Sequence, residues 1–252
     1  MSKGLLIVLS APSGSGKSTV REALMKKADF AYSVSATTRA PRDGESEMEN
    51  KKGLLIVVSG PAGSGKGTVT KKMLAESDEF GYSVSATTRD PRPGERDGYD
   101  YYFITREEFE RRIRDGEMLE YTTYCGNYYG TPLREAVEVL ESGKNLILEI
   151  EVEGALNVKR RYPEAVLIML LPPSFAVQET RLRGRCSEAE DVIQKRLART
   201  KEELTFLPSY DYVVYNRDGG IDACADDIRA IVRAEGCANK RHPNAYEAYF
   251  HS

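Results

Sequence analysis

The sequence predicts an α/β fold with a mainly parallel sheet flanked by helices. Three observations carry that expectation. Apolar runs of strand length alternate with helical stretches through most of the chain. A glycine-rich loop, Gly60–Gly65, separates one such run from a helical stretch. A segment rich in β-formers and aromatics, Ser83–Tyr124, interrupts the alternation and reads as an inserted subdomain.

Each element has its own reason. Leu54–Ser59 is a short apolar run bounded by glycine, the pattern of a buried strand. Lys66–Glu76 follows the loop as a helix, and Tyr82–Thr87 is β-rich. Arg106–Arg114 is charged and helical, with Phe109 and Ile113 four apart on one face. Met118–Tyr124 is again β-rich. Pro132–Glu141 begins on proline and stops before Gly143, as helices do. Asn145–Ile150 and Ala165–Leu171 are strand-length apolar runs. Ser174–Arg183 and Glu188–Leu204 are helical, Tyr210–Tyr215 is a strand, and Asp222–Ala234 closes the pattern as a helix.

An internal repeat precedes all of this. Gly4–Val8 and Gly53–Val57 both read GLLIV, and Tyr32–Arg39 and Tyr82–Arg89 both read YSVSATTR. Between them lie two glycine-rich loops, Ala11–Ser18 and Gly60–Gly67. The match ends near Glu45, whereas the second copy continues into a long unrepeated remainder. Residues 1–47 are therefore expected to be a partial duplicate, and residues 48–252 the complete domain, with Met48 resembling a natural start. Three roles for the duplicate are open: a loosely attached remnant, an extra layer that docks on the fold or on another subunit, or a competitor for the second copy's place.

Composition sets the limits. The chain has 252 residues, 40 % hydrophobic and 30 % charged, ordinary for a globular protein with a sizeable core. Its net charge of −3 excludes a global basic field for nucleic acid or anionic lipid. The cysteines, Cys125, Cys186, Cys224 and Cys237, lack metal or redox spacing. Leu5–Leu9 is too short for a signal sequence, and no run approaches the ~20 apolar residues of a membrane span. A cytoplasmic protein without membrane or nucleic-acid partners is expected.

The loop Gly60, Pro61, Ala62, Gly63, Ser64, Gly65, Lys66 follows a strand and opens a helix, the context a Walker A pattern needs. Glycines let backbone N–H groups converge on phosphate oxygens, the helix N-terminus adds partial positive charge, and Lys66 supplies a full one. Gly67 stands where a hydroxyl is usual, so Thr68 is the candidate hydroxyl near phosphates and metal. The first copy has Lys17 and Ser18 at these places, with Ala11 where the pattern wants glycine.

The runs Ser83–Glu95 (SVSATTRDPRPGE), Gly98–Phe103 (GYDYYF) and Gly126–Thr131 (GNYYGT) together resemble the guanylate kinase signature, and the resemblance covers about Lys52–Ala234. It implies a P-loop kinase fold, a GMP-binding subdomain at about 83–131 and a helical lid at about 174–200. Arg89 and Arg92 would clamp the GMP phosphate, with Tyr101, Tyr129 and Ser85 beside them; planar guanidinium forks suit phosphate oxygens. Taken alone, two loop arginines are ordinary solvated surface, and only the surrounding motif changes that. Glu120, Thr131 and Glu151 match positions that read the base and support the acceptor. One carboxylate can accept from guanine N1–H and the adjacent amino group, whereas adenine presents a bare acceptor there. Glu149 and Glu151 end a strand as E-I-E, facing one side of the sheet, and one or both would assist Mg²⁺ through water. Arg181, Arg185 and Arg196 match the lid over ATP, where they would neutralise the transferring phosphoryl group. Cys186 replaces the more usual glycine after Arg185. Asn216 matches a position near adenine.

The implied reaction is ATP + GMP to ADP + GDP with Mg²⁺, catalysed by Lys66, Arg89, Arg185 and Arg196 through positioning and charge neutralisation. Whether dGMP serves as well, and whether the protein is a homo-oligomer, is open. The alternatives are a catalytically inactive binding module of the same fold and a kinase for another nucleoside monophosphate.

Overall fold

The computed structural model describes residues 7, 9–11, 15–27, 53–92, 94–124, 126–184 and 190–251. Two compact units divide the chain, one up to Glu49 and one from Asn50.

In the first unit the described element is helix α1 (Lys17–Lys27). It follows Gly16 at φ 72°, just as the equivalent helix of the second unit follows Gly65 at φ 90°. The local turn is thus repeated, but the burial is not. Ile7, Leu9, Val20 and Leu24 are 56, 46, 52 and 39 % exposed. Their counterparts Ile56, Val58, Val69 and Met73 are fully buried. These four apolar positions are exposed in one unit, and their counterparts fill a core in the other.

The second unit runs β1 (Leu55–Ser59), α2 (Lys66–Glu76), β2 (Phe80–Tyr82), β3 (Ala86–Thr87), β4 (Tyr102–Phe103), α3 (Arg106–Arg114), β5 (Met118–Tyr124), β6 (Asn127–Pro132), α4 (Leu133–Glu141), β7 (Asn145–Glu149), α5 (Val152–Arg161), β8 (Val166–Leu171), α6 (Phe175–Gly184), α7 (Glu190–Leu204), β9 (Tyr212–Tyr215), α8 (Ile221–Gly236) and α9 (Ala245–His251). The main sheet has the order β2-β7-β1-β8-β9, with every pairing parallel. Alternate side chains of its strands face opposite sides. Ile56, Val58, Ile168 and Leu170 pack with Val69 and Met73 of α2 and Ile228 and Val232 of α8. Leu55, Val57, Leu146 and Leu167 pack on the other side with Ala136 of α4 and Ala155 and Val158 of α5. Helices thus cover both faces, as a parallel sheet of near-continuous apolar strands requires. Truncating a fully buried strand residue such as Ile168 to alanine should cost about 2–5 kcal/mol.

The insertion forms its own four-stranded sheet, β4-β3-β6-β5. Phe109 of α3 fills it with Ala86 and Met118, stacking on Tyr128 at 5.1 Å. Thr105 caps α3 by accepting from Glu108 N–H at 3.2 Å. The single β-rich stretch expected over Tyr82–Thr87 is in fact two strands in two sheets, because the chain leaves the main sheet after Tyr82 and enters the inserted one at Ala86. Pro132 ends β6 and caps α4 rather than beginning it, its ψ of 133° being extended.

Candidate active site

Because the main sheet is parallel, the carboxyl ends of β1, β7 and β9 lie along one edge, the usual ligand crevice of such sheets, and there the glycine-rich loop leaves β1 for α2. Gly65 holds φ 90°, and a Cβ there would stand 2.3 Å from Asn216 Nδ2. Only glycine meets both demands. Asn216, which follows β9, donates from Nδ2 to Ser64 O at 2.8 Å. Its amide nitrogen is committed to holding the loop, while its Oδ1 is buried with no hydrogen-bond partner among the described residues. Lys66 Nζ donates to Gly60 O at 2.5 Å and, at the long limit of 3.5 Å, to Pro61 O. The ammonium is therefore folded over the loop, and no side chain caps the helix behind it. Loop, lysine and helix N-terminus form an anion cradle.

Gly67 has a use of its own. A Cβ at Gly67 would lie 3.4 Å from both carboxylate oxygens of Glu149, so glycine leaves a gap between the first turn of α2 and that carboxylate. Burial raises the pKa of Glu149 above the ordinary value, and Lys66 opposes the rise. Thr68, beside it, is exposed. Among the described residues, no three or more His, Cys, Asp or Glu side chains gather to chelate a metal. A carboxylate facing a phosphate cradle across a gap suits a hydrated divalent cation held chiefly by phosphate oxygens, the mode Mg²⁺ prefers.

Next to this lies a cavity of about 200 Å³, lined by Ser85, Arg89, Arg92, Tyr101, Glu120, Tyr129, Glu149 and Glu151 among others. Every acceptor-site residue expected from the sequence is on that wall except Thr131, which donates from Oγ1 to Glu120 Oε1 at 2.9 Å. Glu120 is 4 % exposed, and its Oε2 is buried with no hydrogen-bond partner among the described residues. Burial pushes its pKa up to about 7, partly opposed by Thr131. A half-satisfied buried carboxylate is costly unless a ligand supplies donors. At the other end Arg89 pairs fork to fork with Glu95 through two contacts of 2.7 Å, and its guanidinium lies 5.1 Å from the Tyr101 ring and 5.5 Å from Phe103. Tyr101 and Tyr129 meet edge to face at 6.2 Å.

Glu149 and Glu151 do not both lie on a strand, as the E-I-E spacing suggested. β7 stops at Glu149 and Glu151 is the extended N-cap residue ahead of α5, yet both reach the cavity wall. Arg181 of α6 donates to Asn216 O at 2.8 Å and pairs with Asp218 at 2.7 Å, so it stands beside the loop anchor. Arg196 is on α7. Arg185 and Cys186 lie outside the described residues. Of the other cysteines, Cys224 is buried and Cys237 exposed, both as free thiols, while Cys125 is outside the described residues. Among the described residues, no helix is long and apolar enough to cross a membrane.

Sequence reasoning gave Glu95, Thr122 and Gln178 no role. Glu95 ends the Ser83–Glu95 run, but its partnership with Arg89 needs the loop's folded shape. Thr122 lines the cavity, and Gln178 touches the phosphate loop. Nothing in their sequence spacing signals either contact.

Comparison with known proteins agrees with this geometry. The family model described as "Guanylate kinase" matches residues 3–50 and again 52–235, so it meets both copies of the repeat. The guanylate kinase of Halalkalibacterium halodurans is 52 % identical over 240 residues, 95 % of this chain and 92 % of that protein. The guanylate kinase of Bacillus cereus is 48 % identical over 247 residues, 97 % and 95 % of the respective chains. The crystal structure of guanylate kinase from Anaplasma phagocytophilum superposes with a TM-score of 0.63 at 33 % identity, covering 77 % of this chain and 92 % of that one.

Proposed function

This chain belongs to the guanylate kinase family, and from that premise we propose how its residues carry phosphoryl transfer from ATP to GMP. The observation that carries the reading is the cavity with Glu120 at one end and Arg89 with Arg92 at the other, next to the phosphate loop. The Glu120 carboxylate, with Oε2 unpaired and lone pairs to spare on Oε1, suits the two adjacent N–H donors of guanine. Thr131 holds that carboxylate and fixes its plane.

The triphosphate rests on the backbone of Gly60–Gly65, with Lys66 turning from its loop carbonyls toward the β- and γ-phosphates. Arg181 and Asn216 border the ATP side. Arg89, Arg92, Tyr101, Tyr129 and Ser85 hold the GMP phosphate in line. A GMP phosphate oxygen then forms a bond to the γ-phosphorus as the bond to the β,γ-bridging oxygen breaks, and ADP leaves. No covalent enzyme intermediate or protein base is needed, because the phosphate is already ionised at neutral pH. Arg196, with Arg185, neutralises charge on the transferring group. Thr68 and Glu149 would hold Mg²⁺, which supplies further neutralisation of the phosphates. Glu151 supports the acceptor wall.

Residues 1–47 take no part in this chemistry. The exposure of Ile7, Leu9, Val20 and Leu24, the large apolar side chains described there, supports that reading. Both substrates are cytoplasmic metabolites, and the chain works there.

The test is ADP formation from Mg-ATP by the full chain. Turnover with GMP, little with AMP, and loss in Lys66→Ala are expected. Equal turnover with both acceptors, or a fully active Lys66→Ala, would overturn the reading.

A further inference from the structure

One buried side chain ties α7 to the phosphate loop. Gln178 lies on α6 and is 1 % exposed. Its Nε2 donates to Ala62 O of the loop at 2.8 Å and to Thr200 Oγ1 of α7 at 2.8 Å. Thr200 Oγ1 donates in turn to Arg196 O at 3.0 Å. Chemistry fixes the directions. A carbonyl can only accept, so the amide nitrogen of Gln178 must face Ala62. Both amide protons and the threonine proton are then used, each on one acceptor.

The surroundings make the network stiff. Leu182, Ile193 and Leu197 pack with Ala62 into a small apolar cluster. A Cβ on Gly63 would touch Leu182 at 3.3 Å and Gln178 O at 3.5 Å, so α6 approaches the loop backbone closely. Sliding α7 along the loop would strand a buried donor or acceptor, which apolar packing alone would not penalise. Arg196 stands one helical turn before Thr200, on the helix that the network holds. The loop seats the triphosphate, and Arg196 serves the phosphoryl group leaving it, so the offset between the two sets how well charge is met in the transition state.

We propose that Gln178, acting with Thr200, is a positioning residue for phosphoryl transfer, holding the helix of Arg196 at a fixed offset from the phosphate loop. The inference rests on the GMP-kinase reading of the site.

Full-length Gln178→Leu, Thr200→Val, Thr200→Ser and the double variant Gln178→Leu/Thr200→Val test it by steady-state kinetics well below each variant's melting temperature. The two single apolar variants should each lose about 10- to 100-fold in kcat, with KM for GMP unchanged. Thr200→Ser, which keeps the hydroxyl, should restore kcat, and the double variant should be no worse than the weaker single one. An undiminished kcat in Gln178→Leu, a Thr200→Ser as damaged as Thr200→Val, or losses that multiply in the double variant would each overturn the proposal. A wild type inert toward GMP would overturn the functional reading beneath it as well; an active wild type with any of those three results removes this inference alone.

Discussion

Arg89 and Glu95 face each other fork to fork, with two nitrogen–oxygen contacts of 2.7 Å, and Glu95 also accepts from the Arg92 backbone N–H at 2.8 Å. One carboxylate therefore orders both arginines of the acceptor loop. Glu95→Gln should raise KM for GMP about tenfold while leaving KM for ATP unchanged, as a charge-assisted pair is roughly twice as strong as a neutral one. Saturation curves for each substrate check this.

The same pair has an acid limit. Arg89 and the Arg92 N–H hold the pKa of Glu95 at about 2, against an ordinary 4.5. A lowered folded pKa means stabilisation that is full above pH 4.5 and disappears as pH falls towards 2. Thermal melts should show a Glu95-dependent loss of stability confined to that window, absent in Glu95→Gln.

Glu120 behaves in the opposite sense. Burial raises its pKa to about 7, so the empty site is half protonated near neutrality. Guanine donors need the ionised form. kcat/KM for GMP should therefore fall about tenfold per pH unit below pH 7, and GMP binding should release a proton there. Removing the titration in Glu120→Gln should flatten this limb of the profile. For folding, the raised pKa adds stability below pH 4.5 that is lost as pH rises through 7. Glu120→Gln should accordingly melt higher than wild type at pH 8.

Lys66 is bonded to the Gly60 carbonyl at 2.5 Å and stands over the loop. Lys66→Met should lower kcat by at least about 10²-fold, the scale for losing one electrostatic donor to a transition state. Circular dichroism should remain unchanged, since the loop keeps its Asn216–Ser64 bond.

The duplicated segment should be dispensable. Its exposed Ile7, Leu9, Val20 and Leu24 contrast with buried counterparts at 56, 58, 69 and 73. Limited proteolysis of the full chain should cut within residues 1–50 and leave GMP turnover intact. Loss of activity in step with that cleavage would give the segment a working role.

Much of the fold was legible because its local signals agree with its tertiary structure. α2, α3 and β5 occupy the spans their sequence patterns predict, Lys66–Glu76, Arg106–Arg114 and Met118–Tyr124. α5 (Val152–Arg161) was not legible, since Gly154 interrupts its pattern and no side chain caps it. The reason for that glycine is tertiary: a Cβ there would stand 2.8 Å from Glu120 Oε2. The two-residue strand β4 and most of β6 were hidden inside the Gly98–Phe103 and Gly126–Thr131 runs, and α9 lies beyond the last apolar pattern. For the site, the motif led to the cavity wall residues, but partners such as Glu95 and Gln178 act across loops or helices. Their chemistry exists only once the chain has folded.

Selection of guanine is assigned above to the Glu120 carboxylate. The most direct measurement is kcat/KM for GMP and for AMP, at pH 8, in wild type and Glu120→Gln. Wild type should prefer GMP on the order of 10⁴-fold, and the variant should lose about 10²-fold or more of that preference. An undiminished preference in Glu120→Gln would contradict that assignment.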